Sequence, residues 1–218
     1  MRCAGRAFTM TELVAVLVVV ALLLVVLVAF VVLPIISGQS RGPHPRINAL
    51  RGIHQAMVMY GQGNNEYYPG LNSQGERVAI DVEQRLKLLM QDDFFSPDYL
   101  VSPAERQMEA WEAGPFTSEH YSYAMLQVPA SGGRHAEWRE TMNTRAAVIA
   151  DRNTGTADDP SSIHHRDSWR GYVLWNDNHV GFETTHVHDT NYGGVDNTAD
   201  HLFRAAGDDD AYMIHSGN

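Results

Sequence analysis

The feature that most constrains this chain is one apolar run near its N terminus. From Leu13 to Ile36 no residue is charged, and Pro34 is the only position outside the hydrophobic set. A bilayer core of about 30 Å is crossed by about 20 helical residues, so the run predicts a transmembrane helix. A core helix of a soluble domain would carry polar residues along one face, and this run carries none.

The rest of the chain is polar and acidic. The 218 residues have a formal net charge of −10, and the four tryptophans, which lie in the second half, are available to build a core. Length and composition predict one globular domain beside the apolar run, and exclude collagen-like, disulfide-scaffold and multi-span membrane proteins. The only cysteine is Cys3, ahead of the run, so the domain has no cysteine for an intrachain disulfide.

A motif lies at the N-terminal end of the run. Ala7 is followed by Phe8-Thr9-Met10-Thr11-Glu12-Leu13, after a leader that contains Arg2 and Arg6. The segment resembles the type IV prepilin signal, in which Gly precedes Phe-Thr-Leu-Ile-Glu-Leu. Ala7 stands in the position of that Gly.

The resemblance implies a processing step and a mode of assembly. Prepilin peptidase would cleave between Ala7 and Phe8, and the new amino group of Phe8 would be N-methylated. In the family, the glutamate at the position of Glu12 pairs with the N-terminal amine of a neighbouring subunit. Such pairing would offset the cost of a carboxylate at the edge of an apolar helix, because each subunit supplies one charge of each sign.

Together, these features divide the chain into four parts. Residues 1–7 form the leader, 8–37 the N-terminal membrane helix, 38–45 a linker rich in Gly and Pro, and 46–218 the exported domain. The chain is expected to cross the bacterial inner membrane once. Its leader would lie in the cytoplasm and its domain on the periplasmic or extracellular side.

Periodic patterns predict the elements of the domain. Apolar positions three or four residues apart predict a helix from Arg46 to Gly61. Asp81 is predicted to cap a second helix, and Ser102 to cap a third that ends at Gly114-Pro115. Strands are predicted at 121–126, 146–150, 172–175 and 180–183, the last two joined by a tight hairpin turn at Asp177-Asn178.

Two segments of the domain resemble a large group of bacterial prepilin-like proteins. One runs from Asn48 to a Tyr-Pro pair at Tyr68-Pro69; the other is the hairpin, where the group has a His followed later by Asp-Gly-His-Val. Here His165 precedes Asp177 by twelve positions, Asn178 replaces the Gly, and His179 stands at the position of the second His. The predicted fold class is α+β: a long N-terminal transmembrane helix, then a pilin-like domain with helices on a small antiparallel sheet.

Histidines are concentrated near the C terminus. His186 and His188 would share one face of a strand and, with Asp189, are candidate ligands for a calcium or zinc ion. The alternative is a polar surface whose histidines make local hydrogen bonds, since no Cys/His spacing of a structural zinc site is present. No cofactor is assigned on this pattern.

The predicted function is structural. The chain lacks a Gly-rich phosphate loop, a nucleophile elbow and a zinc-protease motif, and its negative charge disfavours nucleic acid. It is expected to be a pilin or pseudopilin subunit of a type IV pilus-like or type II secretion-like assembly. Its partners would be the membrane, prepilin peptidase and other pilin-like subunits. The alternative is a membrane-anchored periplasmic domain that binds a metal or ligand and uses the signal only for export.

Overall fold

The computed structural model describes residues 10–27, 45–78, 81–105, 107–127, 133–163, 165–192, 200–205 and 210–216. The chain divides into two compact units, Met1–Pro43 and His44–Asn218. The predicted leader and all but the last residue of the predicted linker lie outside the described residues. Each unit is considered by itself below.

The first unit contains helix α1, Met10–Leu27. After Glu12 it consists only of valine, leucine and alanine, so it has no polar face. At 1.5 Å per residue it rises about 27 Å, of which about 22 Å follows Glu12.

The predicted long transmembrane helix over residues 8–37 is wrong for the part of the chain that the structure describes. Within those residues, no helix has both the length and the apolar character needed to cross a bilayer. An apolar run shows where apolar side chains lie, but it does not show how far one helix continues through them. The structure describes this helix over Met10–Leu27, and residues 28–44 lie outside the described residues.

The second unit confirms the α+β class with an antiparallel sheet. Its helices are α2 (Pro45–Gly63) and α3 (Val82–Gln91), with short 3-10 turns elsewhere. The strands, in chain order, are β1 (Tyr123–Leu126), β2 (Ala147–Asp151), β3 (Gly171–Trp175), β4 (Val180–Glu183) and β5 (Met213–Ile214). Their order across the sheet is β4-β3-β2-β1-β5, and every neighbouring pair is antiparallel.

The predicted helix near Arg46 is confirmed as α2, and its burial follows its periodicity. Leu50, Ile53 and Met57 have at most 1% of their surface exposed, whereas Arg51 and Gln55 on the other side are exposed. One face of α2 therefore packs into the domain core, where the helix contacts β3 and β4.

The N-cap predicted for the second helix is also confirmed. Asp81 precedes α3, and its Oδ1 accepts a hydrogen bond of 2.7 Å from the backbone N–H of Gln84. Val82, Leu86 and Leu89 then face the core. The Asp81 cap and the buried side chains lie within ten residues of one another and indicate the same helix. The helix could therefore be predicted from the local sequence.

The third predicted helix, from Ser102 to Gly114-Pro115, is wrong. The described residues of this stretch form turns and irregular chain. Tertiary contacts use the groups that were expected to start the helix: the Ser102 N–H donates to Ser122 Oγ at 2.8 Å, and Glu105 pairs with Arg152 at 2.6 Å. Such contacts override a local capping pattern, which stabilises a helix end by only about 1 kcal/mol.

Close packing explains one glycine at the start of β3. A Cβ placed on Gly171 would lie 2.8 Å from the Cβ of Asp151 and 2.8 Å from the Trp169 ring. Both neighbours are held in the core, because Trp169 is fully buried and Asp151 accepts 3.2 Å and 2.9 Å hydrogen bonds from Arg46 and the Tyr172 N–H. A side chain at residue 171 would force β2 and β3 apart.

Candidate functional site

The hairpin between β3 and β4 is closed by a three-residue loop, not by the predicted two-residue turn. The Asn178 N–H donates to the Trp175 carbonyl at 2.9 Å, and the Trp175 N–H donates to the His179 carbonyl at 3.0 Å. Asn178 alone in the loop is left-handed, with φ 66°. It stands where the resembling group has Gly, and asparagine is one of the few other residues that adopts this conformation readily.

The loop places the side chain of Asn176 in the interior, where it is 4% exposed. Its Nδ2 donates to the carbonyls of Arg139 and Met142 at 2.9 Å and 2.8 Å. Its Oδ1 accepts a 2.8 Å hydrogen bond from the hydroxyl of Tyr68. Asn176 thereby connects the hairpin to two other segments of the domain.

His54 of α2 completes this cluster. Its Nε2 lies 3.2 Å from the Tyr68 hydroxyl and 3.4 Å from Asn176 Oδ1. Because the hydroxyl proton of Tyr68 is directed to Asn176, the Tyr68 oxygen accepts from His54, which assigns the imidazole proton to Nε2. His54, Tyr68 and Asn176 are called the polar hub below.

Burial sets the ionisation of the polar hub. Loss of hydration lowers the pKa of His54, outweighing the opposing effects of Asn176, Asn178, Glu140 and Asp177. The imidazole is therefore neutral at neutral pH. Burial also raises the pKa of Tyr68 far above its ordinary value, so the hydroxyl keeps its proton.

The polar hub unites the two segments that carry the second resemblance. His54 and Tyr68 belong to the Asn48–Pro69 segment, and Asn176 belongs to the hairpin. The Trp138 indole supports the first segment by donating to the Pro69 carbonyl at 2.9 Å and meeting the Tyr68 ring edge-on at 5.4 Å. The two segments are therefore neighbours in space.

A groove of about 500 Å³ opens beside the polar hub. One wall is the surface of α2 and the other is the hairpin loop with Glu140. The lining residues are His54, Gln55, Val58, Met59, Glu140, Asn176, Asp177 and Asn178. Its walls thus combine two apolar side chains with carboxylate and amide groups, and include no lysine or arginine.

The predicted hairpin residues divide between two places. Asp177 Oδ1 accepts from the His179 N–H at 3.0 Å and pairs with His179 Nδ1 at 2.7 Å, while the His179 ring stacks on Trp175 at 4.4 Å. Partial burial raises the pKa of Asp177, but the hydrogen bonds from His179 outweigh it, and the net shift is downward. His165 instead exchanges two 3.0 Å backbone hydrogen bonds with Ser162 and does not line the groove.

The three candidate metal ligands have different neighbours. The His186 ring lies 5.5 Å from that of His201, and His188 Nε2 lies 3.2 Å from a carboxylate oxygen of Glu183. Asp189 Oδ1 accepts the backbone N–H two residues further on at 2.6 Å. In the part of the chain that the structure describes, no group of three or more His, Cys, Asp or Glu side chains could hold a metal ion.

The predicted processing residues Ala7 and Phe8 lie outside the described residues. Glu12 lies in the first turn of α1 and is the only charged residue of that helix. An acid at this position interacts favourably with the positive end of the helix dipole, by about 0.3–1 kcal/mol.

Sequence reasoning did not identify His54, Tyr68 and Asn176 as interacting residues. Both segments containing them were recognised, but a pattern along the chain does not show that positions more than 100 residues apart form hydrogen bonds. The available signal was a histidine at a position whose helical neighbours, Leu50, Ile53 and Met57, are core residues.

Comparison of the chain with protein-family models, with curated proteins and with solved structures finds no match in any of the three.

Proposed function

We propose that this chain is a pilin-like structural subunit, not an enzyme. It would be cleaved by prepilin peptidase between Ala7 and Phe8, N-methylated on Phe8, and assembled with other pilin-like subunits of a type IV pilus-like or type II secretion-like system. The domain that begins at residue 46 would be displayed on the periplasmic or extracellular side of the inner membrane.

Helix α1 is the observation that carries the proposal. Its side chains from Leu13 to Leu23 are exposed in the described structure, and Glu12 is its only charge. A helix that is apolar on every side has no stable arrangement alone in water, and packing against like helices buries all its faces. The single acid at one end provides a fixed point at which neighbouring helices can be aligned.

The domain adds a second, weaker support. The segments that resemble the prepilin-like group are α2 with Tyr68-Pro69 and the β3–β4 hairpin, and they share the polar hub. A pattern that combines residues distant in sequence but joined in space is more informative than two separate short motifs.

The first test is mass spectrometry of the N terminus of the full chain, produced with and without an active prepilin peptidase. A mature chain beginning at N-methylated Phe8 is expected only with the peptidase. Ala7→Gly should be cleaved at least as well, and Ala7→Leu should be cleaved poorly, because the signal has a small residue at this position. An intact leader on wild-type protein in the presence of active peptidase would refute the processing step.

The second test separates assembly from anchoring. Glu12→Ala is expected to leave the cleaved chain in the cell envelope but to remove it from sheared filaments or cross-linked subunit complexes. Glu112→Ala, an exposed acid of the domain, is the matched control and should assemble normally. Equal recovery of Glu12→Ala and wild type in assemblies would favour the rival function, an anchored ligand-binding domain, for which the groove beside the polar hub is the specific observation.

A further inference from the structure

Strand β4 forms one edge of the sheet, and its outer side carries backbone groups that β3 does not use. The Trp175 N–H donates to the His179 carbonyl, and in an antiparallel hairpin the hydrogen-bonded pairs fall on every second residue. Gly181 therefore bonds to β3, while the N–H and C=O groups of Val180 and Phe182 point outward. Within the part of the chain that the structure describes, these four outward groups have no hydrogen-bond partner.

Three features that commonly protect a sheet edge are absent from β4. The strand, Val180–Glu183, contains no lysine and no proline, and its register with β3 has no bulge. Phe182, which carries two of the outward groups, has 50% of its surface exposed, although its ring meets that of Tyr172 at 5.1 Å. A row of open donors and acceptors beside an exposed aromatic side chain is suited to pairing with another strand.

A second copy of β4 fits this edge in an antiparallel register. With Gly181 of the two copies opposite each other, Val180 of each copy lies opposite Phe182 of the other. Each of these pairs exchanges two hydrogen bonds, so the outward groups of both copies are all satisfied. Because Val180 and Phe182 share one face of the strand, each pair also places a β-branched side chain beside an aromatic one.

The neighbouring residues favour this register over its alternatives. A shift of two residues in either direction sets Val180 or Phe182 against a residue outside β4. A shift of one residue opposes outward groups to groups already bonded within the hairpin. In the centred register Glu183 lies opposite His179, so like charges do not meet. Both side chains already have partners in their own copy, so this contact adds little affinity.

The position of α2 is compatible with such pairing. Helix α2 contacts β3 and β4 of its own copy. A two-fold axis through the paired edges places both helices on the same face of the joined sheet. They then lie about two strand spacings apart, roughly 10 Å, which is an ordinary distance between packed helices.

We propose that two copies of this chain pair through β4, in an antiparallel register centred on Gly181, and thereby join their sheets. A second copy is the occupant because the edge is complementary to itself in hydrogen bonds and in side chains. Pairing through β4 does not depend on cleavage at Ala7, on Glu12 or on α1. It can therefore be refuted while the proposed function stands, and the proposed function can fail while pairing is observed.

The first test measures self-association of the full-length chain by sedimentation equilibrium in density-matched detergent, because α1 exposes apolar side chains. We expect a monomer–dimer equilibrium with a Kd on the order of 10–100 μM. Phe182→Lys should weaken dimerisation at least about tenfold, because it removes two cross-strand apolar pairs and places a charge at each edge. Val78→Lys introduces the same charge at an apolar residue that is 59% exposed and outside β4, and should leave the Kd unchanged.

Residue-resolved amide exchange by NMR then identifies the surface. At about ten times the Kd, about 80% of the chains are dimeric, so the Val180 and Phe182 N–H groups should exchange about fivefold more slowly than in dilute protein. The Gly181 N–H is bonded within the hairpin and should exchange slowly at both concentrations. This measurement uses the wild-type chain, so it decides the question even if Phe182→Lys does not fold.

Several results would overturn pairing through β4. One is a wild-type chain that stays monomeric up to about 1 mM. Equal dimerisation of wild type and Phe182→Lys would place the contact on another surface, α1 included. Equal weakening by Phe182→Lys and Val78→Lys would mean that net charge alone controls association. Exchange of the Val180 and Phe182 amides that does not slow as dimers form would exclude this edge directly.

Discussion

Helices α1 and α2 have nearly the same length, 18 and 19 residues, but opposite distributions of apolar side chains. In α1 the side chains after Glu12 are apolar all round, and those from Leu13 to Leu23 are exposed in the described structure. In α2 only one side is apolar, and Leu50, Ile53 and Met57 on that side are buried in the domain core. The contrast shows that the arrangement of apolar residues along a helix, more than their number, decides whether packing one face of the helix on a domain can bury its apolar side chains.

The physical reason is that hydrophobic burial has no direction of its own. A one-sided helix has one orientation on a sheet that removes its apolar area from water, whereas an all-apolar helix gains equally in every orientation. Helix α2 is further held by polar contacts, from the His54 ring to Asn176 and from Arg46 to Asp151 at 3.2 Å. Apart from Thr11 and Glu12 in its first turn, α1 has no polar side chains that could favour one orientation of a neighbouring element.

The largest expected effect tests the contrast directly. Leu50→Ala should lower the free energy of unfolding of the domain by about 3 kcal/mol, because a fully buried leucine leaves a cavity. Leu17→Ala makes the same change in α1, where the side chain is 60% exposed, and should cost less than about 0.5 kcal/mol. Denaturant unfolding followed by tryptophan fluorescence measures both, and similar losses in the two variants would break the comparison.

The next effect concerns the polar hub that holds α2 to the hairpin. Asn176→Ala should destabilise the domain by about 2 kcal/mol, since it leaves the Tyr68 hydroxyl and two backbone carbonyls without their partner. Gln62→Ala, at an exposed amide on α2, is the control and should change stability by less than about 0.5 kcal/mol. Equal unfolding midpoints for Asn176→Ala and wild type would show that core packing alone positions α2.

A smaller effect is expected at the left-handed residue of the loop. Asn178→Ala should cost about 1 kcal/mol because alanine is strained at φ 66°, while Asn178→Gly should be neutral or slightly stabilising. Thermal unfolding of the pair isolates the backbone contribution, since both variants lose the same amide. If the two variants have the same melting temperature, the left-handed conformation of residue 178 does not limit the stability of the hairpin.

The smallest effect is a pH dependence that originates in α2. The pKa of His54 is lowered in the folded domain, so below its ordinary value of 6.5 the unfolded chain takes up a proton before the folded one does. Stability contributed by neutral His54 is therefore present above that pH and is lost as the pH falls. In His54→Gln the decline in unfolding midpoint from about pH 7 to pH 5 should be shallower than in wild type, and identical slopes would contradict this account.

Much of the domain was predictable because its signals are local. The buried stripe of α2, the Asp81 cap of α3 and the strands on either side of the hairpin all depend on residues within a few positions of one another. The helix predicted at Ser102 used the same kind of signal and was wrong, because Ser122 and Arg152 take its capping groups from elsewhere in the chain. Strand β5 was not predicted, since two residues carry no periodicity.

The candidate site was predictable only in part. Asp177, Asn178 and His179 were singled out, and the first two line the groove. Their partners on α2 were not, because pairing of His54 with Asn176 follows from the docking of a helix on a sheet. His165 was singled out with the hairpin, yet its described hydrogen bonds are to Ser162. The prepilin processing and the assembly role of Glu12 stay predictions from the sequence.

The sequence by itself determined the apolar run, the acid at its start, the α+β class and the helices and strands whose patterns are local. Such features follow from backbone geometry and side-chain polarity over one or two turns of chain. Only the tertiary structure decided that the described residues between 102 and 114 do not form the predicted helix, and that His54, Tyr68 and Asn176 meet beside a groove. Those outcomes depend on contacts between distant residues, in which burial and hydrogen bonding together outweigh local preference.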